Sequence, residues 1–242
     1  FENNIKRFSK YLDKIHYFKI KDKHLNYEEL KNFLAKSKRK ELNDIGALIK
    51  RHDYYDKNNL SHLLDTYHRE CIKIPLIDLC KPNDLVLLSD LDEIPKFRII
   101  ESFRKDNFIK SPKVLIQHEF QFFLNNYSHS NWEGTIIIPF NLLMNNSLNL
   151  LRRNSNKIDK LKDSGYHFTS IGSLFDIKRK IKSWAHQEFN HPIIINNIES
   201  NIKNGLDIFY RIKRPTNKCI NLDNNNLIDK RMVNIIKKFK RY

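Results

Sequence analysis

Residues 82–93 read Pro82-Asn83-Asp84-Leu85-Val86-Leu87-Leu88-Ser89-Asp90-Leu91-Asp92-Glu93, and the fold turns on this stretch. Pro82-Asn83-Asp84 is a turn signal. Leu85-Val86-Leu87-Leu88 has the length of a strand, and its lack of polar alternation predicts a central strand covered by helices on both faces. The run stops at an acidic turn, after which Pro95 is expected to open a helix reaching Ser102. Acidic residues where a buried strand ends lie at the carboxyl edge of a sheet, where open α/β sheets hold ligands.

Asp90, Asp92 and Glu93 place three carboxylates within four residues. Two such charges ~4 Å apart repel by roughly 4 kcal/mol at an effective dielectric near 20. A divalent cation reverses that sign, and oxygen ligands suit Mn²⁺ or Mg²⁺. The cation can bridge to a diphosphate and neutralise the charge that builds as it leaves. An Asp-x-Asp pattern is short and acidic turns are often merely solvated, so its weight here comes from following a buried strand.

Working outward, Ile5, Phe8, Leu12 and Ile15 have helical spacing over residues 1–15, and a short strand is expected at 16–20. Residues 28–51 and 59–80 read as helices, with Pro75 kinking or ending the second. Strands are expected at 114–124, 135–138 and 166–169, and helices at 141–151, 173–187 and 192–203. Ser173 with Asp176 forms a capping-box start, with Leu174, Ile177, Ile181 and Trp184 facing inward and Lys178, Arg179, Lys180 and Lys182 in water. Residues 226–242 read as a weakly patterned basic tail. The whole suggests one α/β domain over residues 1–242, a twisted and mainly parallel sheet flanked by helices.

Composition narrows the class. The net charge of +16 invites a nucleic-acid reading, but the lysines are scattered and the chain is crowded with Asn, Lys and Ile, so a solvated cationic surface is favoured. No apolar run is long enough to span a membrane. Cys71, Cys80 and Cys219 are odd in number and lack metal-site spacing, which favours a reducing, cytoplasmic-type environment.

The string DLVLLSDLDEIPKFRII at 84–100 resembles the signature of glycosyltransferase family seventeen, the bisecting β-1,4 N-acetylglucosaminyltransferases and their microbial and viral relatives. Further blocks are similar in family order: FENNIKRFSKYLDKI at 1–15, YHRECIK at 67–73, FLNNYSHSNWEGTII at 123–137, GYHFTSIG at 165–172, KIKSWAHQEFN at 180–190 and IKNGLDIFYR at 202–211. The resemblance implies a GT-A fold whose first strand is missing from this chain. It implies inverting transfer of N-acetylglucosamine from UDP-N-acetylglucosamine to a carbohydrate acceptor, such as an N-glycan. It also implies Asp92 as metal ligand, Asp90 acting on the metal through water, and Glu93 in support. A Golgi lumen is implied for a eukaryotic member that has lost its anchor. Tyr166 departs from the family pattern, which has tryptophan there.

Inversion requires a general base. Glu188 and His186 are the candidates, with capping and surface roles as the alternative. His167 is a candidate metal ligand or diphosphate contact against a satisfied core histidine. Asn125, Trp132 and Tyr166 are candidate sugar contacts, the indole by stacking or by plain core packing. Arg69 is a candidate diphosphate contact, with an Arg69–Glu70 ion pair as the structural alternative. His118 and Glu119, adjacent on a strand, face opposite ways. Two other functions compete: a metal-dependent nuclease or phosphohydrolase on the same carboxylates, and a non-catalytic basic nucleic-acid-binding domain. Neither has a supporting second motif.

Overall fold

The computed structural model describes residues 2–20, 23–51, 57–106, 109–211 and 216–239. Phe1 of the first expected helix and residues 240–242 of the expected tail lie outside these. The described chain divides into two compact units. The first is Phe1–Pro82 with Ser147–Asn149; the second is Asn83–Asn146 with Leu150–Tyr242.

The first unit is helical: α1 (Tyr27–Ala35), α2 (Lys40–Arg51), α3 (Leu60–Cys71) and α4 (Lys73–Leu79). Its separate core explains the division, with Leu30, Leu34, Ile45, Ile49, Leu63 and Tyr67 all buried together. The expected helix over 28–51 breaks near Ser37, whose Oγ accepts the Arg39 amide at 3.1 Å. The break lets Leu34 meet α2, where a Cβ on Gly46 would stand 3.1 Å from that of Leu34. Pro75 sits in the first turn of α4, where a missing N–H costs little, so the second expected helix breaks ahead of it. Residues 2–14 form a 3-10 helix (Glu2–Lys14) with no buried residue, and 16–20 is not a strand.

The second unit holds a six-stranded sheet in the order β1-β4-β3-β5-β2, with β6 on β4. The strands are β1 (Leu85–Leu88), β2 (Glu93–Pro95), β3 (Lys113–Gln121), β4 (Asn126–Pro139), β5 (Asp159–Thr169) and β6 (Lys218–Cys219). The helices are α5 (Phe97–Asp106), α6 (Phe140–Met144), α7 (Leu148–Arg153, entering from the first unit), α8 (Leu174–Ser183), α9 (Pro192–Lys203) and α10 (Lys230–Ile236). Among the described residues only β3 and β5 run parallel and every other pair is antiparallel, which corrects the mainly parallel expectation. β1 lies at the sheet's edge with Leu87 exposed, so its apolar run is not that of a central strand. The centre is β3, buried from Val114 to Gln121. Pro95 closes β2 rather than opening the helix. The expected tail contributes α10, whose Val233 and Ile236 pack with Phe120, Tyr166 and Phe168. Ser173 and Asp176 form the capping box as read. Among the described residues no helix is long and apolar enough to cross a membrane.

Two glycines make this sheet possible. The Gln117 side chain lies across its neighbours, and a Cβ on Gly134 would fall 2.2 Å from Gln117 Oε1. On the other side, a Cβ on Gly165 would fall 2.9 Å from Gln117 Nε2. Gly134→Ala should therefore destabilise the protein by about 1–3 kcal/mol through overpacking. Adding Gln117→Ala should recover part of the loss in urea denaturation. Equal midpoints for single and double variants would show that the clash lies elsewhere.

Candidate functional site

The acidic turn is held by its own residues and by β4. Ser89 Oγ bonds Thr135 Oγ1 at 2.7 Å and donates to the Glu93 carbonyl at 3.1 Å. The Phe168 amide donates to the Asp92 carbonyl at 2.9 Å, fixing the turn against β5. Glu93 is buried and works as a bracket. Its Oε1 accepts from Trp132 Nε1 at 2.9 Å and Arg152 Nη2 at 2.7 Å, and its Oε2 accepts the Asp90 amide at 3.1 Å. Arg152 also binds Asp90 Oδ2 at 3.0 Å and the Gly134 carbonyl at 2.6 Å.

Asp90 and Asp92 line a cavity of about 480 Å³. Asp92 faces an imidazole and an ammonium, with His167 Nε2 at 3.6 Å from Oδ1 and Lys180 Nζ at 3.7 Å from Oδ2. His167 stacks on Trp132, ring centroids 4.1 Å apart, and its Nδ1 stands 3.4 Å from Glu119 Oε2. Glu119 in turn accepts from Gln121 Nε2 at 2.6 Å and lies 3.3 Å from His129 Nε2. Burial acts to lower the His167 pKa, but attraction to Asp92 and Glu119 outweighs it and raises the pKa above its ordinary 6.5. Burial opposes ionisation of Asp92, yet His167 and Lys180 hold its pKa below 3.8. At the cavity rim Phe122 and Ser170 both adopt left-handed backbone, at φ 68° and 55°.

Asp92 and His167 each offer one donor atom that a divalent cation could share. Two ligands each about 2.1 Å from one ion stand about 3–4.2 Å apart, and Asp92 and His167 fall in that range. Asp90 lines the same cavity, with its Oδ2 held by Arg152 Nη2 at 3.0 Å.

The same cavity is also lined by aromatic rings. Trp184 stacks on Phe209 at 5.1 Å, and Phe189 meets Phe209 at 4.7 Å. His186 lines the cavity too, its Nδ1 hydrogen-bonded to Glu188 Oε1 at 2.8 Å. Three expected contacts fall elsewhere. Asn125 closes the β3–β4 turn, exchanging bonds with Ile220 at 2.9 and 3.3 Å. Tyr166 is turned to the other face of the sheet by strand alternation, its hydroxyl donating to Asp229 Oδ2 at 2.7 Å. Arg69 is engaged in the helical unit by Asp65 at 3.0 Å and Asn149 Oδ1 at 2.8 Å. Its expected partner Glu70 instead accepts from Ser147 Oγ at 2.6 Å and Asn149. Glu119, Lys180 and Arg152 were not expected in the site. Glu119 could have been found from its alternation with His118, but its pairing opposite His167 is a matter of register.

On the far face His118 Nε2 meets Asp163 Oδ1 at 2.6 Å. Burial pushes the His118 pKa below 6.5, with Asp163 opposing and the Lys96 charge assisting. A folded pKa below the unfolded one means that the unfolded chain takes up the proton first. This contribution to stability is complete above about pH 6.5 and is lost as pH falls. The raised His167 pKa acts in a separate window, its contribution fading as pH rises above about 6.5. His118→Asn should flatten the decline in urea midpoint on the acid side of pH 6.5; an unchanged slope would assign it to other groups.

Compared with protein-family models, curated proteins and solved structures, the chain matches none.

Proposed function

We propose that the second unit is a metal-dependent glycosyltransferase of the GT-A kind, taking a nucleoside-diphospho-sugar as donor. Asp90 and Asp92, read from sequence as a nucleotide-sugar anchor, line a cavity with an imidazole and a lysine within 4 Å of Asp92; this observation carries the reading. The resemblance to glycosyltransferase family seventeen supports UDP-N-acetylglucosamine as the donor and a glycan as the acceptor.

In this reading Asp92 and His167 would hold Mn²⁺ or Mg²⁺, which would supply neutralisation of the charge on a diphosphate leaving group. Lys180 adds a second positive charge beside the phosphates. Arg152 and Glu93 keep the turn in place, and Trp132 holds the His167 ring by stacking. His186 is the general base and Glu188 orients it, since a ring donating through Nδ1 carries its lone pair on Nε2. The acceptor oxygen bonds to the anomeric carbon as the bond from that carbon to the phosphate oxygen breaks. The acceptor's proton passes to His186 Nε2 and UDP leaves with the bond's electron pair, giving inversion.

Isothermal titration with UDP and UDP-N-acetylglucosamine, in Mn²⁺ and then in EDTA, tests the donor site. Binding that needs the metal is the expected result. Equal heats with and without metal would reject the assignment of Asp92 and His167.

A further inference from the structure

Resting on the donor reading above, we propose that the aromatic wall of Trp184, Phe189 and Phe209 is the acceptor subsite, and that the acceptor presents a neutral pyranose there. The cavity is lined by two chemically distinct sets of side chains. One holds Asp92 with His167 and Lys180 within 4 Å of it, and the Lys180 ammonium suits a phosphate. The other carries three aromatic rings whose centroids lie 4.7–5.9 Å apart. All three are half-buried, so part of each ring is packed while part lines the cavity. The negative face of an aromatic ring attracts the C–H groups on the flat side of a pyranose, whose hydroxyls point outward to water.

Nucleobases also stack on aromatic rings, so location must decide which ligand lies here. The His186 ring stands 5.4 Å from Trp184 and 6.3 Å from Phe189. A general base must come within hydrogen-bond reach of the hydroxyl it deprotonates, directly or through one water. The sugar bearing that hydroxyl therefore has to rest against the rings that flank His186. His186 and Glu188 are also exposed, which suits the larger and more variable of two substrates. Charge argues for a neutral acceptor. Arg211, on this wall, is bound by Asp207 at 2.6 and 3.2 Å, so its charge is already matched.

The test measures direct binding of a panel of neutral and sulfated oligosaccharides, separately from UDP binding in Mn²⁺. It uses wild type, Trp184→Leu, Phe209→Leu and the conservative Trp184→Phe. Neutral glycans should bind wild type, and either leucine variant should weaken them about tenfold or more, with Trp184→Phe retaining most affinity. UDP affinity should change less than about threefold in every variant, which also reports that the fold is intact. Weakened UDP binding with unchanged glycan binding would make the wall a nucleobase platform and overturn the proposal. So would a preference for sulfated glycans, or unchanged binding of both ligands. A wild-type protein that fails to bind UDP but loses glycan binding in the leucine variants would sink the donor reading and leave the wall standing.

Discussion

Asp92→Ala should abolish metal-dependent nucleotide binding and lower turnover about 10³-fold or more, while the protein still folds. Asp92 is the one acidic side chain of the turn that faces both His167 and Lys180. Charge stabilisation by a bound metal is worth several kcal/mol, and each 1.4 kcal/mol is tenfold in rate. The cost in stability should be small, about 1 kcal/mol or less, because the carboxylate is one-third exposed and its pairs are partly screened. Glu119 also remains beside His167 in the variant. Titration calorimetry and thermal melts together separate the two effects. Metal-dependent UDP binding that survives in Asp92→Ala would remove the central claim about this turn.

Glu93→Ala should do the reverse, acting first on stability. The Glu93 carboxylate is fully buried and accepts from Trp132, from both terminal nitrogens of Arg152 and from the Asp90 amide. Removing one partner of a buried ion pair costs about 3–5 kcal/mol, since the other charge stays desolvated. Arg152 keeps Asp90 and the Gly134 carbonyl, which argues for the lower end of that range. Even so, the loss would be a large part of the 5–15 kcal/mol typical of a folded domain. Glu93→Gln keeps the shape and some hydrogen bonds and should fall between wild type and alanine. Urea midpoints for the three proteins check the order. A wild-type midpoint in Glu93→Ala would show that the bracket contributes little.

These two neighbours on one acidic turn thus have different fates, and sequence could tell them apart only in part. Local signals were legible. The turn at Pro82-Asn83-Asp84, the strand at 85–88 and the capping box at Ser173 all depend on residues a few positions apart, and each appears where it was read. The Asp-x-Asp pair and His167 were also singled out from their immediate neighbours, and the structure brings them to one cavity. Helix breaks were harder, because Ser37 and the packing of Leu34 near Gly46 outweigh a continuous helical pattern.

What the tertiary structure decided is pairing. A four-residue apolar run looks the same in a central strand and in an edge strand half-covered by neighbours, so the run alone predicts too deep a place for β1. Direction within the sheet is set by long-range partners, which is why local sequence does not distinguish the mostly antiparallel arrangement from a parallel one. Register settled the site itself. It set Glu119 opposite His167 and sent Tyr166 to the far face. The fold also brought Arg152, 62 positions from Asp90, onto the turn. A strand's side chains alternate by one residue, so a property written in single residues becomes a site only when the strands are aligned. Sequence alone determined which groups could do the chemistry; the aligned sheet decided which of them meet.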